Sequence, residues 1–336
     1  MNSRPAVVAA LLLYLPAAVL PLASPVSRAE APSPGSAAVE QEPAAAGQPA
    51  SAIRLIADVM INGRGPFHFM FDTGASQAVI ADSTVARLGL QPDSHKLVRV
   101  QGVNARVLAP VVHVDSLTVG ALRLRSLDLP VLAGPLFDGL DGILGAQGFA
   151  GGTKLSVSLV DRSCTLAASP RRPDTQAGAT VVRMLSQHLP VVSATVAGVE
   201  VLLIIDTGAT STLGNSALLA ALQKARAVQE LSAAPAVLDV TPVRWAALSG
   251  AIPPLQLGRL SVQPPSVTFG DYQIFDRWGF SKRPAMLLGM DALATLAAFS
   301  IDYPRLQLHL LPRPTAMLSL QRDYPSPIGT ALEESR

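Results

Sequence analysis

An apolar run ending in aspartate, threonine and glycine occurs twice in this chain, each time with the same neighbours before and after it. Pro66-Phe67-His68-Phe69-Met70-Phe71 leads into Asp72-Thr73-Gly74-Ala75-Ser76, and Val199 to Ile205 leads into Asp206-Thr207-Gly208-Ala209-Thr210. Ahead of each stands another short run and a turn: Ala57 to Ile61 before Asn62-Gly63-Arg64-Gly65, and Val191 to Val196 before Ala197-Gly198. Behind each, a short helix is predicted, Ser83 to Leu88 closed by Gly89, and Ser216 to Ala225 preceded by Asn215. Asn or Ser at such starts and Gly at such an end are the usual caps. Asp141-Gly142-Ile143-Leu144-Gly145 and Met286-Leu287-Leu288-Gly289 follow, their last glycines 73 and 83 residues beyond the aspartates. Each copy then finishes with a strand, Leu155 to Val160 before Asp161-Arg162, and Phe299-Ser300-Ile301 before Asp302-Tyr303. A repeat of this length implies two similar lobes and not a solenoid, whose units are far shorter.

Short β-branched runs punctuated by Gly, Pro and Asn predict an all-β, mostly antiparallel protein with a cleft between its lobes. The first lobe is expected over 52–169 and the second over 179–312, with a polar, proline-rich joint at 170–178. Residues 1–29 read as an export signal: Arg4, an apolar run from Ala6 to Leu15, then small residues around Arg28. That reading predicts a periplasmic or secreted protein, with tethering by an uncleaved leader as the alternative. Residues 30–51 are rich in Ala and Pro and bury too little to order themselves, so a disordered linker is expected there. A flexible tail is expected over 313–336. The chain's 336 residues are 49% hydrophobic and 15% charged, enough for sizeable cores. Lys and Arg (26) nearly balance Asp and Glu (24), with no basic run, which argues against a nucleic-acid binder. A single cysteine excludes an intramolecular disulfide framework.

The repeated aspartates point to a particular chemistry. A strand fixes each carboxylate, and a glycine without Cβ lets another backbone come close. Two such units about an approximate two-fold axis can bring Asp72 and Asp206 together. Like charges held about 3 Å apart cannot both ionise at moderate pH, so the pair shares one proton. It then offers an acid and a base to one water, which is general acid–base hydrolysis without metal or covalent intermediate. The hydroxyls of Thr73 and Thr207 can donate across the interface to the opposite loop.

Asp72-Thr73-Gly74-Ala75-Ser76 with Asp141-Gly142-Ile143-Leu144-Gly145, and Asp206-Thr207-Gly208-Ala209-Thr210 with Leu287-Leu288-Gly289, resemble the aspartic proteases. The alanine after each glycine, and Gly289-Met290-Asp291-Ala292-Leu293, favour the retropepsin-like aspartyl proteases of bacteria, here with both lobes on one chain. The resemblance spans roughly residues 53–312. It implies a bilobal fold and a catalytic pair, Asp72 and Asp206, supported by Thr73, Gly74, Thr207 and Gly208. Ser76 and Thr210 are further candidates, hydrogen-bonding neighbouring backbone. It also implies that Ile143-Leu144-Gly145 and Leu287-Leu288-Gly289 pack behind the active-site loops. The implied partner is an extended peptide or protein substrate, and no cofactor or metal is called for. A monomer with pseudo-two-fold symmetry is expected. A flap is expected at Leu97 to Val107, turning at Gly102-Val103-Asn104, without the tyrosine of a pepsin flap. The matching stretch, Val237 to Leu248, carries Pro242 and Trp245.

Two other functions fit parts of the pattern. A peptide binder that keeps the cleft without the reaction would most simply have lost an aspartate, and neither is replaced. A phosphotransferase hairpin also places an Asp-x-Gly-x-Thr after a strand, which Ile205 to Thr210 matches, but no Gly-rich nucleotide loop accompanies it. The five histidines (68, 95, 113, 188 and 309) lack metal-ligand spacing, Cys164 lacks a nucleophile's surroundings, and Arg171-Arg172 reads as a solvated pair in the joint.

Overall fold

The computed structural model describes residues 12–13, 37–42 and 53–314, with breaks at 121, 134–136, 138, 147–151, 173–176, 187, 229, 235–246 and 265. Most of the expected export signal and tail, part of the joint, and the second-lobe flap candidate with Pro242 and Trp245 lie outside the described residues. The order begins with β1 (Leu12–Leu13) and β2 (Ala37–Glu42). The first lobe runs through β3 (Arg54–Ile61), β4 (Arg64–Asp72), β5 (Val79–Ala81), α1 (Asp82–Leu88), β6 (Asp93–Gln101), β7 (Arg106–Val119), β8 (Leu122–Leu132), β9 (Gly142–Gly145), β10 (Thr153–Ser158) and β11 (Ser163–Ala168). The second begins with β12 (Thr180–Arg183), β13 (Val191–Val196), β14 (Val199–Ile205), β15 (Leu213–Asn215), α2 (Ser216–Lys224), β16 (Ser232–Ala233), β17 (Leu248–Gly250) and β18 (Leu255–Leu257). It ends with β19 (Leu260–Val262), β20 (Val267–Gly270), α3 (Gln273–Arg277), β21 (Ala285–Leu288), α4 (Met290–Leu293), β22 (Leu296–Asp302) and β23 (Gln307–Pro312).

The two repeats fold alike for local reasons. Asn62 and Gly63 both take positive φ, as do Ala197 and Gly198, which turns β3 into β4 and β13 into β14 through the tight geometry that twisted hairpins favour. The second strand of each hairpin then pairs in parallel with the apolar-apolar-Gly strand: Asp72 stands opposite Gly145, and Ile205 opposite Leu288. A short strand on the far side of each, β5 or β15, runs antiparallel to it. The sheets are therefore mixed, with antiparallel pairs in the majority and parallel ones placed where the aspartates emerge. Helix α2 is capped as its sequence implies, the Asn215 side chain accepting from the Leu218 N–H. Helix α1 instead starts after Ala81 with no side-chain cap, and Gly89 closes it in the left-handed conformation.

The closing strands of the two repeats meet each other. β10 and β22 pair antiparallel from Lys154 opposite Asp302 to Ser158 opposite Ala298, so one sheet continues from lobe to lobe. Leu155, Val157, Phe299 and Ile301 face its buried side. The chain just before the joint is held to this sheet, since Ser169 Oγ donates to both carboxylate oxygens of the buried Asp302 at 2.9 and 3.0 Å. Residues 37–42, expected to be disordered, form a strand between β3 and β11. Its pairing is backbone to backbone and needs no bulky side chain, which is why composition gave no sign of it.

Asp141, at the head of the first apolar-apolar-Gly segment, ties three elements together. It is 5% exposed and accepts from the His68 N–H on β4 (2.8 Å) and Thr84 Oγ1 on α1 (2.8 Å), while pairing with Arg87. Replacing it with alanine leaves the first two donors without a partner, and we expect a loss of about 2 kcal/mol of stability. A denaturant midpoint unchanged in Asp141→Ala would contradict that role.

Candidate active site

The strands deliver the two aspartates to one buried place. β4 ends in Phe69, Met70 and Phe71, all buried, and β14 ends in the buried run from Val201 to Ile205, so each carboxyl leaves a rigid strand. Asp72, Thr73 and Asp206 are fully buried, and Thr207 is 1% exposed. The threonines cross: Thr73 Oγ1 donates to the Ile205 carbonyl (2.7 Å) and Thr207 Oγ1 to the Phe71 carbonyl (2.8 Å). In return, the Thr207 N–H donates to Thr73 Oγ1 (3.1 Å) and the Thr73 N–H to Thr207 Oγ1 (3.2 Å). Four reciprocal bonds thus fix the two loops against each other, away from competing water.

Each loop holds its own carboxylate in the same way. Asp72 Oδ1 accepts from the N–H groups of Gly74 and Ala75, both at 2.9 Å. Asp206 Oδ1 accepts from Gly208 (2.9 Å) and Ala209 (3.1 Å). The other oxygens, Asp72 Oδ2 and Asp206 Oδ2, are buried and accept from no N–H or hydroxyl among the described residues, which leaves a proton on one carboxyl to bond the other. Gly74 lies against the opposite carboxyl so closely that a Cβ there would stand 2.4 Å from Asp206 Oδ2. Gly145 and Gly289 are equally constrained, by the backbones of Gln77 and Ser211, so each apolar-apolar-Gly segment packs directly behind an aspartate loop. Ser76 and Thr210 stand half-buried on the way out of the loops.

Burial makes both carboxyls weaker acids than a carboxyl in water. Asp72 is pushed well above the usual carboxylate range, first by burial and then by the charge of Asp206. Burial also raises Asp206, to about 6, against the opposing pull of a hydrogen bond with Asp72 and of the N–H groups around it. Two carboxyls in one dry site with raised affinities for protons can hold a single proton between them near neutral pH.

Sequence reasoning missed the residue that holds the second loop from behind. Asp291 accepts from Thr212 Oγ1 (2.7 Å) and the Thr212 N–H (3.0 Å), and the Gly289 N–H donates to the same hydroxyl (3.2 Å). The available signal was a carboxylate two residues after the glycine of the second apolar-apolar-Gly segment. β6 and β7 form a hairpin over the residues expected for a flap, closed by a bond from the Gly102 N–H to the Ala105 carbonyl (2.8 Å). Its tip reaches the other lobe: the Ile274 N–H donates to the Val103 carbonyl (2.9 Å) and the Gln273 N–H to Asn104 Oδ1 (3.0 Å). Strand β1 lies along the same hairpin, Leu12 opposite Gln101 and Leu13 opposite Val100.

Among the described residues no group of three His, Cys, Asp or Glu side chains is placed to hold a metal ion. His68 and His113 pair with Asp58 and Asp128 at exposed positions. Cys164 is buried, and burial pushes its thiol further from ionisation.

A search among curated proteins gives no match. The aspartyl protease family model matches twice, over residues 57–147 and 192–292. Each matched stretch contains one Asp-Thr-Gly loop and the glycine strand behind it, and together they cover more than half of the chain. With two copies of the family's unit arranged around one carboxyl pair, the chain belongs to the aspartyl protease family.

Proposed function

We propose that the protein is an aspartic endopeptidase that hydrolyses peptide bonds with Asp72 and Asp206. The observation that carries this reading is the pair of buried Oδ2 atoms, which no N–H or hydroxyl among the described residues engages, on loops locked together by the crossed threonines. Two charges cannot share this buried site, so the pair keeps one proton; in this reading it rests on Asp72 and Asp206 is ionised. Asp206 takes a proton from a water as its oxygen attacks the scissile carbonyl carbon, while Asp72 gives its proton to the carbonyl oxygen. The tetrahedral diol collapses as Asp206 passes its proton to the amide nitrogen and Asp72 takes one from a diol hydroxyl, so the C–N bond breaks, the amine leaves and the pair returns to its starting state. An extended peptide suits the cleft, because its backbone can pair with the flap and its alternate side chains enter pockets on either wall. One chain supplies both carboxyls, so a monomer suffices. Export to the periplasm or beyond is proposed on the leader's composition alone.

The test is incubation of the protein with a diverse peptide mixture from acidic to alkaline pH, with and without a statine-type inhibitor. Inhibitor-sensitive cleavage is expected, whereas tight inhibitor binding without any cleavage would indicate a binder that has lost the reaction. The pH profile is a prediction in itself. Below about 6, Asp206 is protonated and the base is lost, so kcat/KM rises with pH through that value. It falls again at higher pH as Asp72 gives up its proton. A rate that climbs steadily toward pH 3 would contradict this assignment.

A further inference from the structure

The sheet that joins the lobes has two unlike faces. Leu155, Val157, Leu166, Phe299, Ile301 and Leu308 lie in the same core as Phe71 and Ile205, the residues that precede the two aspartates. Side chains alternate along a strand, so their neighbours point away from that core. On this outer face the registers set Thr165, Ser156, Ser300 and His309 opposite one another, in one line across β11, β10, β22 and β23. Lys154 stands two residues before Ser156, on the same side. The outer face of a sheet is ordinarily wet, yet Lys154 is 7%, Ser300 7% and His309 6% exposed. These five residues line a recess of about 410 Å³, the size of a small-ligand site. The first repeat supplies three of them and the second repeat two, so the recess straddles the junction.

We propose that this recess binds a small oxyanion, a carboxylate or a phosphate group, through Lys154, His309 and the hydroxyls of Ser156, Thr165 and Ser300. The site is separate from Asp72 and Asp206 and does not depend on what they do. The donors set the class of ligand. Each hydroxyl can turn its hydrogen toward an acceptor, and the ammonium adds a positive charge, which strengthens a bond to an anion. Lys154 and His309 each have another contact in the protein, but three donors on one and two ring nitrogens on the other leave capacity for a ligand. The nearby acids are committed or distant. Asp302, opposite Lys154, accepts from Ser169 Oγ and pairs with Arg305. Asp161 accepts from Ser158 Oγ (2.7 Å), and the strand's rise puts Ser158 about 13 Å along β10 from Lys154. Phe299 turns its ring to the core, so no aromatic face among the described lining residues invites a base or sugar to stack. An anion seated here bonds both repeats and stabilises the folded chain in proportion to its occupancy.

The test titrates the full chain with inorganic phosphate and, separately, with succinate, the ionic strength held constant with sodium chloride so that screening does not change. The imidazole NMR signals of the five histidines report where the anion sits. The His309 signal, identified by its loss in His309→Gln, is expected to shift saturably with at least one probe while the others stay. The probe that moves it tells phosphate from carboxylate, and the same probe should raise the melting temperature. Lys154→Met is expected to weaken the Kd by at least about 10-fold, since it removes the charge. Thr165→Val keeps the shape of a half-buried lining residue without its hydroxyl. It is expected to weaken the Kd by about 3-fold, and it covers the case in which Lys154→Met folds poorly. Asp206→Asn should leave the Kd unchanged; a clear change there would place the anion at the carboxyl pair and overturn the proposal. So would a His309 signal that neither probe moves by about 10 mM, or binding that every folded variant at Lys154 and Thr165 leaves as tight as before.

Discussion

Asparagine in place of Asp72 or of Asp206 is expected to lower kcat/KM for peptide hydrolysis by at least about 1,000-fold with the fold unchanged. Asparagine has the carboxyl's shape, and its carbonyl can still accept the two N–H bonds that each Oδ1 receives. It cannot take a proton from water or supply one at the right affinity, so only the chemistry is removed. Stability should move the other way. Both aspartates bind protons more tightly in the folded state than in the unfolded chain, so their stabilising effect is complete below the usual carboxylate range and is lost as pH rises through their folded values, about 6 for Asp206. At pH 7 to 8 the parent carries a buried charge on Asp206 that the Asp206→Asn variant lacks, and that variant should melt at the same temperature or higher. Peptidase rates and thermal melts on the same preparations check both halves. One variant as active as the parent would remove that aspartate from the mechanism.

Gly74→Ala is expected to cost about 100-fold or more in kcat/KM, with a smaller effect on folding. The added methyl would lie 2.4 Å from Asp206 Oδ2, 2.6 Å from its Cγ and 2.9 Å from Oδ1, closer than real side chains come. The loops cannot part to make room, because the crossed threonine bonds join them on both sides. The carboxyl itself must turn, which breaks the geometry of the pair at a strain cost of about 1–3 kcal/mol in stability. Gly145→Ala and Gly289→Ala press on backbone behind the loops, at Gln77 and Ser211, and should lower the melting temperature more than they change the rate of the folded fraction. Comparing rate with melting temperature across the three variants separates contact with the carboxyl from damage to packing. A rate for Gly74→Ala within twofold of the parent would show that the two loops are not in contact at work.

Much of the architecture could be read before any coordinates, and the reason is local. Alternation in β3, β4, β13 and β14, the Asn-Gly turn and the asparagine cap of α2 all depend on neighbours a few residues apart. The duplication was visible because both copies retain the same residue types in the same order. Strand β2 escaped notice because its place depends on two open strand edges, supplied by β3 and β11, far from it in the chain. Asp141 and Asp291 escaped because a carboxylate near a glycine looks the same in a sequence whether it braces a fold or faces water. Their donors, Thr84 and Thr212, lie 57 and 79 residues away.

The amino-acid order alone determined that this chain would make two like lobes, each ending a strand in an acid and a hydroxyl, since side-chain period and turn chemistry act over short range. Only the tertiary structure decided how those acids share their surroundings. It brought together loops 134 residues apart, buried the two carboxyls between them, and bonded the β6–β7 tip to Gln273 and Ile274 of the other lobe. Proton affinity is a property of distance and burial, and these come into being only when the lobes pack.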